Sequence, residues 1–303
     1  MEDPMSRNAS KIAGPCLAIA SAALGADFPE EQLLWPNGIE NNPIVYEESN
    51  IMREEAFNPQ APSGSCRVYS HVAEPTFFIY RPTPEKNTGV SLVVLPGGGY
   101  RDIWLDKEGH DIGLYYQELG ITSLVVKYRT NSQVEGKERM SLETYLPNAI
   151  ADAAEGIRIL RHQAEDLNID PKKIGLGGFS AGGHLAIALC LADLGDDAQP
   201  AFSFLIYPWI QEGLDFEILK SRPFPPSFIV VGQPDKLTPV DGCLLFYGEL
   251  CENKVPAELH VYGKGDHGFS LAHGTGHSTE KWPSTFIDWL RDMEMIESGP
   301  GKG

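Results

Sequence analysis

Lys173-Ile174-Gly175-Leu176-Gly177-Gly178-Phe179-Ser180-Ala181-Gly182-Gly183-His184-Leu185-Ala186-Ile187-Ala188-Leu189 is the stretch on which the fold turns. It holds a G-x-S-x-G pattern, with a strand-like run before it and a helix-like run directly after it. A serine at the tip of a tight strand-to-helix turn sits in strained backbone, and small neighbours keep the chain from colliding with itself. Such a turn lifts the hydroxyl out of the packed layers and sets the first N–H groups of the helix beside it. Ser180 is therefore the candidate nucleophile. A helix-capping role would account for the serine, but it leaves Gly178, Gly182 and Gly183 without a purpose.

Working outward, apolar runs fit strands at 77–81, 90–95, 122–128, 174–179, 202–207, 227–231 and 258–262. Helical patterns fit 108–119, 145–166, 182–194, 239–251 and 281–295. Unbroken runs such as Val90-Ser91-Leu92-Val93-Val94-Leu95 suit strands covered on both faces. Their alternation with helices predicts an α/β fold with a mostly parallel central sheet and helices on both faces. The predicted catalytic domain covers 71–296, and residues 27–70, rich in Pro, Asn, Glu and Ser, read as an irregular N-terminal extension.

Composition narrows the function. A chain of 303 residues with net charge −18 is large enough for a substantial core and is a poor partner for nucleic acid or an anionic membrane surface. Neutral or weakly charged substrates suit it better. Arg7 and Lys11 precede a small-residue apolar run that ends at Ala23-Leu24-Gly25, the order of a secretory signal peptide. Residues 1–26 are read as that signal, giving a secreted or periplasmic protein, with the cytoplasm as the alternative. The five cysteines show no C-x-x-C pair, and no disulfide framework or metal site is expected.

A serine nucleophile needs a base, an orienting acid and donors for an oxyanion. His267 lies in the glycine-flanked loop Gly263-Lys264-Gly265-Asp266-His267-Gly268-Phe269, after the last predicted strand. It is the candidate base. His260 falls inside that strand, His273 and His277 lack a third ligand for metal, and His184 starts the helix behind Ser180. Asp235 leaves the strand at 227–231 on a loop and is the candidate acid, with Asp241 and Asp266 as rivals. Pro96-Gly97-Gly98-Gly99-Tyr100 closes an apolar strand, and its glycines let backbone N–H groups approach a substrate oxygen. Gly98, Gly99 and Ala181 are the candidate donors. A phosphate-cradling loop is disfavoured because no G-K-[ST] follows.

These motifs resemble the α/β-hydrolase superfamily, and within it the acetyl-xylan-esterase-like bacterial carbohydrate esterases. The resemblance spans roughly residues 70–295. It rests on Glu74-Pro75, Pro96-Gly97-Gly98-Gly99-Tyr100, Lys107-Glu108-Gly109, Lys127-Tyr128-Arg129, the turn around Ser180, Tyr207-Pro208 and Asp266-His267-Gly268-Phe269. It implies a cofactor-independent serine esterase that removes acetyl groups from a small-molecule or oligosaccharide ester such as acetylated xylan. Tyr100 and Trp209 would then stack against a sugar ring. An amidase, formamidase or peptidase of the same fold, or a general short-chain esterase, is the alternative. Glu108 matches the group without an evident role.

Overall fold

The computed structural model describes residues 28–56, 58–210 and 213–297. The expected signal peptide, residues 1–26, lies outside them. The chain enters through three short strands, β1 (Gln32–Leu33), β2 (Ile51–Glu54) and β3 (Arg67–Ser70). Then come β4 (Thr76–Tyr80), β5 (Ser91–Leu95) and β6 (Asp102–Ile103). A π-helical turn, Asp106–His110, runs into α1 (Asp111–Glu118), followed by β7 (Thr122–Lys127), α2 (Leu142–His162) and the single turn α3 (Ala164–Leu167). The remaining elements are β8 (Ile174–Phe179), α4 (Ala181–Leu191), β9 (Phe202–Ile206), β10 (Ser227–Gly232), α5 (Val240–Glu252), β11 (Ala257–Tyr262) and α6 (Trp282–Asp292).

Eight strands form one sheet in the order β1-β4-β7-β5-β8-β9-β10-β11. In this sheet β4 alone runs against the others, antiparallel to both β1 and β7, and every pairing from β7 to β11 is parallel. All residues of β5, β8, β9 and β10 are buried, as continuous apolar runs require of strands covered twice. α2 and α4 cover one face, α1 and α6 the other, where Tyr116 meets Phe286 at 5.7 Å between ring centroids. α4 is buried at every position, which explains why it is apolar all round.

The N-terminal stretch is less irregular than its composition indicates. β1 extends the main sheet, while β2, β3 and β6 build a separate antiparallel sheet of three strands. Runs of two to four residues are too short for alternation to show, and their partners lie far along the chain. Trp35 Nε1 donates to Asp152 at 2.9 Å, and the same carboxylate takes the Arg129 guanidinium at 2.8 Å. The extension is thereby tied to a buried ion pair beneath the sheet.

A second buried polar cluster clamps residues 63–67 to the start of α1. Asp106 accepts from Ser65 Oγ, from the Arg67 backbone at 2.6 Å and from the Arg67 guanidinium at 2.7 Å. Asp111 accepts from Ser63 N at 2.7 Å. Burial pushes the Asp111 carboxyl up from 3.8 to about 7, and burial pushes the His110 imidazole down from 6.5 to about 4. Asp111 thus contributes stability that is complete below pH 3.8 and lost as pH rises through 7. His110 does the opposite: its contribution is present above pH 6.5 and lost as pH falls through 4. Asp111→Asn keeps an oxygen for Ser63 N–H and removes the first dependence. The variant is expected to exceed wild type by about 2–4 kcal/mol at about pH 8, with the margin at least halved by about pH 5. Urea unfolding at both pH values checks this, and an equal margin at both would mean that the carboxyl titrates as an ordinary one.

Candidate active site

Loops leaving the carboxyl ends of β5, β8, β9, β10 and β11 converge at one edge of the parallel sheet, where sites form in open α/β structures. They line a cavity of about 850 Å³ that holds Gly98, Gly99, Tyr100, Ser180, Ala181, Trp209 and His267.

Ser180 sits between β8 and α4 with φ 53° and ψ −117°, a left-handed conformation that is costly for a residue with a side chain. The turn closes tightly. A Cβ on Gly182 would lie 2.0 Å from the Leu95 carbonyl oxygen, and one on Gly178 would lie 2.2 Å from the same atom. Only bare backbone lets the elbow lie against the end of β5.

The Ser180 hydroxyl is 2.9 Å from His267 Nε2, and His267 Nδ1 is 2.8 Å from Asp235 Oδ2. Asp235 is buried and held by its own loop. Its Oδ1 accepts from Leu237 N and Thr238 N, each at 2.9 Å, and its Oδ2 also accepts from Thr238 Oγ1 at 2.8 Å. The residue therefore forms an Asx-type turn and faces the imidazole at once. With Nδ1–H donating to this carboxylate, Nε2 is left to accept from the serine. Among the described residues, neither Asp241 nor Asp266 bonds to His267. His260 instead pairs with Glu258 at 3.0 Å on β11.

The glycine loop follows β5. Gly98 has φ +137°, and a Cβ there would lie 2.0 Å from the Asp102 carbonyl oxygen. Among the described residues, no acceptor takes the N–H of Gly98, Gly99 or Ala181, and all three residues face the cavity that holds Ser180. Tyr100 and Trp209 also line it. Tyr100 is buried, its hydroxyl sharing a 2.6 Å hydrogen bond with His184 Nδ1 and its ring standing 5.2 Å from Tyr145 and 6.3 Å from Trp209. Trp209 is only partly buried and presents more surface to a ligand.

Sequence reasoning gave no role to Glu108, which lies buried beneath this loop. Its Oε2 accepts from Gly97 N at 2.7 Å and its Oε1 from the Tyr207 hydroxyl at 2.8 Å. That hydroxyl accepts in turn from Ser270 N at 3.1 Å, three residues past His267. Burial, and secondly the neighbouring Glu108, hold the Tyr207 phenol far above its ordinary range, so it is a permanent donor. One carboxylate thus joins the glycine loop to the histidine loop. Thr238 was missed as well: its hydroxyl lies 3.1 Å from His267 Nδ1. The only sequence signal for this bracing was the Glu108-Gly109 and Tyr207-Pro208 pairs themselves.

Comparison with known proteins agrees with the architecture. A family model described as the alpha/beta hydrolase fold matches residues 117–223. An acetylxylan esterase of Xylanibacter ruminicola is 29% identical over 216 residues, covering 62% of this chain and 42% of that protein. An endo-1,4-beta-xylanase B of Butyrivibrio fibrisolvens is 26% identical over 280 residues, covering 82% of this chain and 41% of that protein. The chain therefore spans about two fifths of these curated relatives. Among solved structures, an acetyl ester-xyloside bifunctional hydrolase from Caldicellulosiruptor lactoaceticus superposes with a TM-score of 0.63 at 25% identity, covering 91% of this chain and 100% of that one.

Proposed function

We propose that this chain, an α/β-hydrolase, is an exported serine esterase that removes small acyl groups, acetyl above all, from carbohydrate. The observation that carries the reading is the relay from Ser180 through His267 to Asp235, at 2.9 and 2.8 Å, inside the cavity lined by three residues whose backbone N–H groups have no acceptor among the described residues.

The steps follow from that geometry. Ser180 Oγ forms a bond to the ester carbonyl carbon while its proton passes to His267 Nε2. The carbonyl oxygen becomes an oxyanion and receives the N–H groups of Gly98, Gly99 and Ala181, each such donor being worth about 10²–10³ in rate. Collapse breaks the bond to the alcohol oxygen, which takes the proton from His267 and departs. Water, deprotonated by His267, then attacks the acyl-serine; collapse breaks the bond to Ser180 Oγ, which takes the proton back from His267, and acetic acid leaves and ionises to acetate. Asp235 fixes the imidazole tautomer and offsets its positive charge throughout. Carbohydrate as the alcohol part is supported by the acetylxylan esterase likeness and by the partly exposed Trp209 on the cavity wall.

Acetate release from an acetylated xylo-oligosaccharide, set beside hydrolysis of p-nitrophenyl butyrate and of an aryl formamide, tests the substrate. The sugar acetate is expected to have the highest kcat/KM. A formamide preference would move the protein to the amidases, and a butyrate preference to general short-chain esterases.

A further inference from the structure

The charge around the cavity runs against that of the whole chain. Acidic residues outnumber basic ones by 42 to 24 overall, yet the cavity wall carries Arg53, Arg101, Lys107 and Arg139 against only Asp102 and Glu108. The two carboxylates are already engaged. Asp102 takes both guanidinium nitrogens of Arg53 at 3.0 and 3.1 Å, and Glu108 is turned inward to Gly97 and Tyr207.

Arg101, Lys107 and Arg139 form no ion pair among the described residues. Lys107 holds its ammonium over the Trp104 ring at 5.0 Å. Arg139 is exposed but fixed through Nε, which donates to the Asn131 carbonyl at 2.7 Å. Burial, and secondly the nearby Arg101, disfavour its charged form. Asp102, already held by Arg53, only partly offsets the repulsion between the two guanidiniums, and an incoming anion relieves the rest. A guanidinium fork also matches a carboxylate in shape, which a lone ammonium does not.

We infer that Arg101 and Arg139 form a carboxylate-binding subsite, so that the preferred ester carries an acidic sugar, an acylated uronic acid unit, on its alcohol side. The inference rests on the esterase reading above. Arg101 and Arg139 are both exposed, which places them at the open end of a cavity whose floor is the buried Tyr100 and Tyr145. The alcohol part, larger than an acetyl group, is the part this inference assigns to that end.

The test compares the acetylated methyl glycosides of glucuronic acid and glucose, identical except for carboxylate against hydroxymethyl, with p-nitrophenyl hemisuccinate as an acyl-side carboxylate. Wild type is expected to favour the glucuronate ester about tenfold or more in kcat/KM. About 0.5 M salt should shrink that preference. Arg101→Gln and Arg139→Gln should each collapse it, and because both residues are exposed neither substitution opens the core. Arg101, whose side chain makes no hydrogen bond among the described residues, keeps the test valid if the Arg139 variant is destabilised. Equal kcat/KM for the two sugars would overturn the subsite and leave the esterase reading standing. Preference for the hemisuccinate over p-nitrophenyl acetate would overturn its placement on the alcohol side. Turnover of neither sugar ester nor p-nitrophenyl acetate would end both readings.

Discussion

Ser180→Ala is expected to lower kcat on p-nitrophenyl acetate by roughly 10⁴-fold or more, while the thermal unfolding midpoint stays near that of wild type. The drop is large because the covalent route disappears with Oγ. What remains is direct attack by water on a bound ester, helped only by the backbone N–H groups of the glycine loop and of Ala181. The stability expectation has a separate basis. Alanine keeps the Cβ that the φ of 53° already disfavours, so the elbow gains no new strain. The loss is a single 2.9 Å hydrogen bond to His267, whose side chain stays anchored by Asp235 at 2.8 Å. Initial rates and calorimetry on the same preparation check both halves. Activity within a few-fold of wild type would remove the serine mechanism, and a collapsed midpoint would mean that the hydroxyl has a structural duty.

Ser180, Asp235 and His267 could be read from sequence because each lies on a loop that directly follows a strong apolar run. Strand, turn and helix signals sit within a few residues of each, and the order Ser, Asp, His then follows from the way the sheet is wound. Local signals also placed the seven long strands to within a residue or two. Where the information is not local, the reading went short. The helix expected at 145–166 begins at Leu142, capped by Ser141, which accepts from Thr144 N at 3.2 Å, and it breaks at Gln163 before a turn closed by left-handed Asn168. β1, β2 and β3 depend on pairing partners across the fold. Glu108 is the sharpest case. A carboxylate early in an amphipathic helix reads as a favourable charge at the N-terminus. Only the fold turns it inward, beneath the candidate oxyanion donors.

That placement leads to a second large effect. Glu108→Ala is expected to lower kcat about 10²-fold with little change in KM, and to cost about 2–5 kcal/mol of stability. The stability cost follows from what is left behind. Gly97 N–H and the Tyr207 hydroxyl lose acceptors at 2.7 and 2.8 Å, both in a buried space that alanine does not fill. The rate cost comes from alignment. Gly97 precedes the candidate donors Gly98 and Gly99, and Tyr207 holds Ser270 N while its ring stands 5.1 Å from the His267 ring. Once the clamp is gone, the candidate oxyanion donors and the candidate base shift independently, and an error of about 1 Å in such a site is enough for a 10²-fold loss. Glu108→Gln separates positioning from simple destabilisation. Its carbonyl oxygen still accepts from Gly97 N–H, and its amide group donates to the Tyr207 oxygen, so the two loops stay joined. Most of kcat should return with it. Both variants are to be assayed well below their unfolding midpoints, where every molecule is folded. Wild-type kcat in Glu108→Ala under those conditions would show that the carboxylate supports the fold and leaves the alignment of the site to other groups.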